Sequence, residues 1–165
     1  MQKVIKIALS ISFIIYLLAL VVTLFLGTRR GYVYTDFSLF EYIKKSSNIV
    51  PFKTINTYIM AIFDGSMNMD IPIKNLFGNL ILFLPMGIYL PYFIRKVNII
   101  SGFSIFMFLL LFVIEFIQLV TRRGSFDIDD VILNMLGAFI GYSIWKVVER
   151  YLSRTNKYSS INSVH

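Results

Sequence analysis

The residues of this sequence best suited to chemistry are acids and amides within or beside long apolar runs. Glu115 lies inside such a run, and Gln118 and Arg122 follow it at intervals of three and four residues. This spacing places all three on one face of a helix. Because an ionised carboxylate is costly in hydrocarbon, we expect this face to line a polar site. Pairing of Glu115 with a buried arginine, for packing alone, is the alternative.

The next apolar run repeats the pattern. Asp130, Asn134, Gly137 and Gly141 follow one another at intervals of four, three and four residues. The polar half of this stripe could line a site, and the glycine half would let another helix backbone approach closely. Asp127 stands where a helix N-cap is expected, and Asp130 follows three residues later. Stabilisation of the exposed amides and of the positive end of the helix could therefore account in part for both acids.

The turn between these two runs carries three aspartates and the pair Arg122 and Arg123. Asp127 and Asp130 belong to the polar pattern, whereas Asp129 points to another helical face and is expected to face solvent. The three aspartates could together hold Mg²⁺ against a phosphate. There is, however, no phosphate-cradling loop and no EF-hand spacing in the sequence. We therefore predict no cofactor and keep magnesium as the alternative.

An earlier apolar run begins with Asn75 and Asn79 on one face and contains Pro85 and Gly87 near its middle. Proline inside a helix leaves the carbonyl of Ile81 without its usual donor, which predicts a kink or a widened cavity. Asn79 is a candidate for the polar site. We assign Pro85 and Gly87, with the two later glycines, to helix packing.

Composition shows which elements must position these residues. Hydrophobic residues make up 57% of the 165 residues and charged residues 15%, so the apolar surface exceeds what a soluble core of this size could bury. Four runs, at about 7–26, 76–94, 99–120 and 131–148, reach the roughly 20 residues that cross a bilayer. The sequence thus predicts an all-α polytopic membrane protein, a bundle of four transmembrane helices with the first as an uncleaved anchor.

The segments between the spans complete the predicted organisation. The loop 27–74 is expected to be extracytoplasmic and to hold short interfacial helices at 37–43 and 54–63, separated by Pro51. Residues 1–150 form the membrane domain, and 151–165 a polar, frayed cytoplasmic tail. Four spans place both termini on one side, and the acids gather on the loop side. We therefore expect cytoplasmic termini, with the polar residues at the outer face.

Several function classes are disfavoured by composition. The net charge is +7, but the basic residues stand in pairs at helix ends, which suits lipid headgroups better than nucleic acid. Cysteine is absent and the one histidine is His165, which argues against thiolate chemistry, a histidine triad and a zinc site. The partners that the composition favours are membrane lipids. The oligomeric state is left open.

Four motifs in chain order resemble the VanZ-like family of bacterial membrane proteins, over about residues 48–142. They are Asn48-Ile49-Val50-Pro51-Phe52, Gly78-Asn79 with Leu82-Phe83-x-Pro85-x-Gly87, Glu115-x-x-Gln118, and Asp127-Ile128-x-Asp130-Val131-x-x-Asn134-x-x-Gly137. The resemblance implies a small polytopic membrane protein associated with low-level resistance to teicoplanin and related lipoglycopeptides. It also implies that Asn79, Glu115, Gln118, Asp127, Asp130 and Asn134 are the family's polar positions.

Two hypotheses from different classes follow. The first is a binding or remodelling protein whose outward-facing polar site takes a lipid-linked or envelope headgroup. That site would be formed by Asn79, Glu115, Gln118, Asp127, Asp130, Asn134 and an arginine of the 122–123 pair. The second is an enzyme acting on a lipid-linked phosphate or sugar, with Glu115 as acid or base while Asp127 or Asp130 stays ionised. A transporter ranks third because four spans offer little room, and a structural partner of another membrane protein is the remaining alternative.

Overall fold

The computed structural model describes residues 2–26 and 37–162, with side chains from residue 3 to residue 154 of these ranges. Residues 27–36 of the predicted loop lie outside them. The α-helices are α1 Gln2–Val21, α2 Leu39–Lys45, α3 Lys53–Asp64, α4 Asp70–Leu82, α5 Leu84–Phe93, α6 Ile100–Val120 and α7 Ile128–Asn162. A π-helical turn, Val22–Leu26, extends α1, and a 3₁₀ turn, Arg95–Val97, joins α5 to α6.

Four helical stretches are long and apolar enough to cross a membrane: Lys3–Leu26, Asp70–Phe93, Ile100–Val120 and Ile128–Arg154. This confirms the predicted all-α fold class with four spans. The second span begins earlier than expected, at Asp70. Helix α7 continues to Asn162, into the predicted tail, because residues 151–162 contain no glycine or proline.

The two short helices predicted in the long loop are α2 and α3. In front of α2, the hydroxyl of Ser38 caps the amide of Glu41, and Ser38 donates from its side chain and its backbone to the Glu41 carboxylate. These hydrogen bonds lower the pKa of Glu41. Between α2 and α3 lies a strand that the sequence did not predict: β1, Ser47–Asn48, pairs in parallel with β2, Phe126–Asp127.

The second span is interrupted at Phe83, where Pro85 predicts a kink. With no amide on Pro85 to reach it, the carbonyl of Ile81 accepts from the amide of Phe83 instead. The hydroxyl of Tyr16 on α1 donates to the carbonyl of Leu82 at 2.9 Å. The break therefore provides the acceptor that ties α1 to the second span.

The apolar core lies where α5, α6 and α7 meet, around side chains that are at most 1% exposed: Phe83, Phe103, Met107 and Leu111. Aromatic rings of Phe13, Tyr16, Tyr89 and Phe93 join α1 to α5 at centroid distances of 4.9 to 6.4 Å. Most of the remaining apolar surface faces outward, as expected for helices in lipid.

Helix α7 touches α4 and α5 through glycines. A Cβ at Gly137 would lie 1.8 Å from the carbonyl oxygen of Leu80, and one at Gly141 would lie 2.0 Å from that of Leu84. On the other side of the contact, a Cβ at Gly87 would lie 2.0 Å from the carbonyl oxygen of Ala138. The backbones therefore approach as closely as small-residue helix contacts allow.

We expect Gly137→Ala to separate α7 from α4, because the added methyl meets backbone that cannot rotate away. The loss should be at least about 2 kcal/mol in the free energy of unfolding, measured by thermal unfolding in detergent. Gly78→Ala is the matched control, since a Cβ there meets nothing within 4 Å. The control should be neutral or stabilising by about 0.4–1 kcal/mol. Equal behaviour of the two variants would contradict the packing role.

Candidate functional site

The centre of the site lies where the end of α6 meets β2. Glu115 and Asp127 are both buried, at 4% and 8% exposure. The backbone amide of Asp127 donates to the Glu115 carboxylate over 3.4 Å. Two acids that are 12 residues apart in sequence, on either side of the turn, are thus neighbours in space.

Asp127 is also joined to the segment around β1. Its two carboxylate oxygens accept from the side-chain amide of Asn48 at 3.1 Å and from the hydroxyl of Thr54 at 2.6 Å. Asn48 also donates to the Thr54 hydroxyl at 2.9 Å, and the amide of Asp129 donates to Asp127 at 2.9 Å. Neither Asn48 nor Thr54 was among the predicted site residues. Asn48 opens the first of the four motifs, which is the signal that could have identified it.

Asp129 is buried rather than facing solvent, so that expectation is wrong. Its side chain is fully buried and accepts from three backbone amides at the start of α3: those of Phe52 at 2.5 Å, Thr54 at 2.7 Å and Ile55 at 3.1 Å. The first amides of a helix have no partner within the helix. Asp129 therefore caps α3 from another helix, which its position on α7 alone does not reveal.

The polar stripe of α7 faces the second span. Asp130 accepts a hydrogen bond from the side-chain amide of Asn79 on α4. Asn134, one turn further along α7, is 3% exposed, and its side-chain oxygen has no hydrogen-bond partner within the described ranges. The three predicted residues Asn79, Asp130 and Asn134 thus stand at the contact between α4 and α7.

Gln118 is buried but is directed to a different neighbour. Its side-chain amide donates to the carbonyl of Leu24, at the end of the first span, at 2.8 Å. Its backbone carbonyl accepts from the amides of Arg123 and Gly124. These contacts hold α1 and the turn after α6 in place, so they give Gln118 a positioning role.

The two arginines lie outside the buried set. Both are exposed, and Arg122 has a left-handed backbone with φ 56°. Its guanidinium donates to the carbonyl of Phe37 at 2.9 Å and lies 5.6 Å from the ring of Tyr42. The predicted convergence of an arginine with the buried carboxylates is therefore not seen, because the turn directs Arg122 toward α2.

Apart from the arginines, the residues of the site are buried or partly buried polar groups, and they follow the chain order of the four motifs. A family model described as VanZ/LLP1 matches residues 13–149, which include every residue of the site. The chain belongs to the VanZ/LLP1 family. It is 25% identical over 121 residues to Protein VanZ of Enterococcus faecium, covering 73% of this chain and 65% of that protein. The match thus spans less than two thirds of that relative, and no solved structure matches.

The aspartates of this VanZ-like protein do not converge on one point. Asp127 accepts from Asn48 and Thr54, Asp129 from the start of α3, and Asp130 from Asn79. Within the described ranges there is no group of three His, Cys, Asp or Glu residues that could hold a metal ion.

The buried set of the VanZ-like protein is rich in acceptors. The carboxylates of Glu115 and Asp127 and the amide oxygen of Asn134 are buried, and the carboxylate of Asp130 is partly buried, where the end of α6 meets the start of α7. Carboxylate oxygens accept hydrogen bonds and do not donate when ionised. The arrangement therefore suits a group that donates hydrogen bonds, such as a hydroxyl or an amine, better than it suits a phosphate.

We expect Asp129→Asn to destabilise the VanZ-like protein, because hydrogen bonds to a charged acceptor are worth about 1.5–3 kcal/mol each and the new amide group would face backbone donors. The free energy of unfolding should fall by about 2–4 kcal/mol, measured by thermal unfolding in detergent. The matched control is Asp70→Asn, whose carboxylate is exposed and paired with Lys74 at 2.9 Å. That variant should change stability by less than about 1 kcal/mol. A loss no larger than the control's would contradict the capping role of Asp129.

Proposed function

We propose that this VanZ-like protein binds the headgroup of an envelope component or lipid-linked cell-wall intermediate at the outer face of the membrane. The observation that carries the proposal is the set of acceptors formed by the buried Glu115, Asp127 and Asn134 and the partly buried Asp130. Ionisable residues inside spanning helices mark binding or reaction sites more often than packing.

The chemistry of these four acceptors favours a ligand that donates hydrogen bonds. A buried acceptor without a partner, such as the Asn134 side-chain oxygen, costs about 1–3 kcal/mol. A hydroxyl or ammonium group from a ligand would offset that cost. Sugar and amine headgroups carry such donors, and they fit this site better than a phosphate would, since the arginines lie outside it.

The role in antibiotic resistance follows as part of the same proposal. The family is linked to low-level resistance to teicoplanin and related lipoglycopeptides. Binding or remodelling of a surface component would lower the amount of drug held at the cell surface.

We predict that Glu115→Gln abolishes binding, because the change removes a charge while keeping the volume of the side chain. Native mass spectrometry of the purified protein should show a retained lipid or lipid-linked molecule with the unaltered chain and its loss with Glu115→Gln and Asp127→Asn. The control is Asp70→Asn, which changes charge by the same amount at an exposed position.

The proposal fails if Glu115→Gln retains the molecule to the same extent as Asp70→Asn at equal membrane abundance. It fails equally if no preparation of the unaltered protein retains any molecule. In that case co-purification of a second membrane protein would favour the structural-partner alternative.

The orientation of the protein is part of the proposal. We propose a multi-pass protein with both termini in the cytoplasm, which places the polar site outside. The chain contains no cysteine, so single-cysteine variants have no background. Ser66→Cys, in the turn before α4, should react with a membrane-impermeant maleimide in intact cells. Lys96→Cys, in the turn between α5 and α6, should react only after the cells are opened. The reverse pattern would place the site on the cytoplasmic face.

A second candidate is the enzyme, favoured by the contact between the Glu115 carboxylate and the backbone of Asp127. Two neighbouring acids in different surroundings can divide the roles of proton donor and ionised group. If this candidate holds, Glu115→Gln keeps the bound molecule in native mass spectrometry but lets it accumulate unchanged. Loss of the molecule itself favours the binding function instead.

A further inference from the structure

Glu115 lies within the apolar part of α6 rather than at its end. Glu115 stands five residues before Val120, the last residue of α6. At about 1.5 Å per residue, this places it roughly 7.5 Å inside the end of the helix. The outward side chains of this last stretch are apolar: Phe116 is 54% exposed, and Ile117 and Val120 are each 41% exposed. The hydrocarbon therefore extends close to Val120, and Glu115 is below its edge.

The segment around β1 lies at the same depth as Glu115. Asn48 pairs with Asp127 in the two-residue sheet, and Thr54 donates to the Asp127 carboxylate. The amide of Asp127 in turn contacts Glu115. Residues 48–54 therefore reach the level of Glu115.

The elements before and after this segment lie nearer the surface. The hydroxyl of Tyr42 on α2 donates to the carbonyl of Gly124 in the turn beyond α6. The next span begins at Asp70, nine residues before Asn79, which contacts Asp130. The chain therefore descends from α2 through β1, turns at residues 49–52 and rises again through α3 to the start of α4.

The amides of Val50, Phe52 and Lys53 in this turn all have acceptors within the protein. Non-helical backbone at membrane depth is tolerated only where its polar groups have partners within the protein. The amide of Val50 donates to the Asn48 side chain, and that of Lys53 donates to the carbonyl of Val50. Asp129 accepts from Phe52 and from two further amides of the α3 start. At a surface in contact with water, these amides would not need a buried carboxylate.

The side chains at the turn are apolar and point outward. Ile49 is 75% exposed, Val50 55% and Phe52 62%. Lys53 follows them and is exposed, and its four-carbon stem allows its ammonium group to reach the headgroups. At the depth of Phe116, three such side chains would contact lipid.

We propose that residues 47–64 form a re-entrant hairpin and that its tip, Ile49, Val50 and Phe52, contacts the acyl chains of the leaflet into which the polar site opens. The hairpin and its contact with acyl chains do not rest on the proposed function.

The test uses tryptophan fluorescence in proteoliposomes. The chain has one tryptophan, Trp145, so Trp145→Phe provides a silent background. Val50→Trp in that background is compared with Phe116→Trp on the lipid face of α6 and with Ser66→Trp in the turn before α4. Each is reconstituted in phosphatidylcholine and in phosphatidylcholine brominated on its acyl chains.

We expect bromination to quench Val50→Trp as strongly as Phe116→Trp, and several-fold more than Ser66→Trp. Ile49→Trp provides a second position on the tip and should behave in the same way. Quenching of both tip variants at the level of Ser66→Trp would overturn the proposal. The outcome is independent of headgroup binding, because a failed native mass spectrometry experiment would leave the quenching pattern unchanged.

Discussion

The organisation of the site depends on one requirement, that backbone amides away from water must meet an acceptor. The first amides of α3 have no partner within their own helix, and the fully buried carboxylate of Asp129 accepts from three amides at this start. This contact places the start of α3 against the start of α7. Asn48 and Thr54 reach Asp127 as a result, and through it Glu115. Without the carboxylate, these amides would have no acceptor, and the turn before α3 would not be stable at its position in the bundle.

Helix α7 combines two functions along its length. Its first turns carry Asp129, Asp130 and Asn134, which face α3 and α4, and its next turns carry Gly137 and Gly141, which allow the backbones of α4 and α5 to approach. The close packing also fixes the polar first turns of α7, because a helix held in backbone contact cannot rotate its acids away from their partners. Rigid placement of acceptors is what a binding site for a donor group needs.

Much of the fold could be predicted because a membrane restricts which secondary structures can cross it. Backbone in lipid must satisfy its own hydrogen bonds, so long apolar runs become helices, and all four predicted spans are found. Helical periodicity also identified Glu115, Asp130 and Asn134 as inward-facing. The bounds of the second span and of α7 were less accurate, since polar residues such as Asp70 end an apolar run without ending a helix.

By itself, the sequence determined the four spans, the break at Pro85 and which acids and amides turn inward, because apolar length and helical period are properties of a single segment. Only the tertiary structure decided the partners of those residues. Asp129 is buried because α3 covers it. Asn48 joins the site through β1 and Thr54 through its hydroxyl on α3, whereas Arg122 contacts α2 instead. Helical periodicity predicts the direction of a side chain around the axis of its own helix. It does not predict which distant segment lies in that direction, because this depends on contacts between parts of the chain that are far apart in sequence.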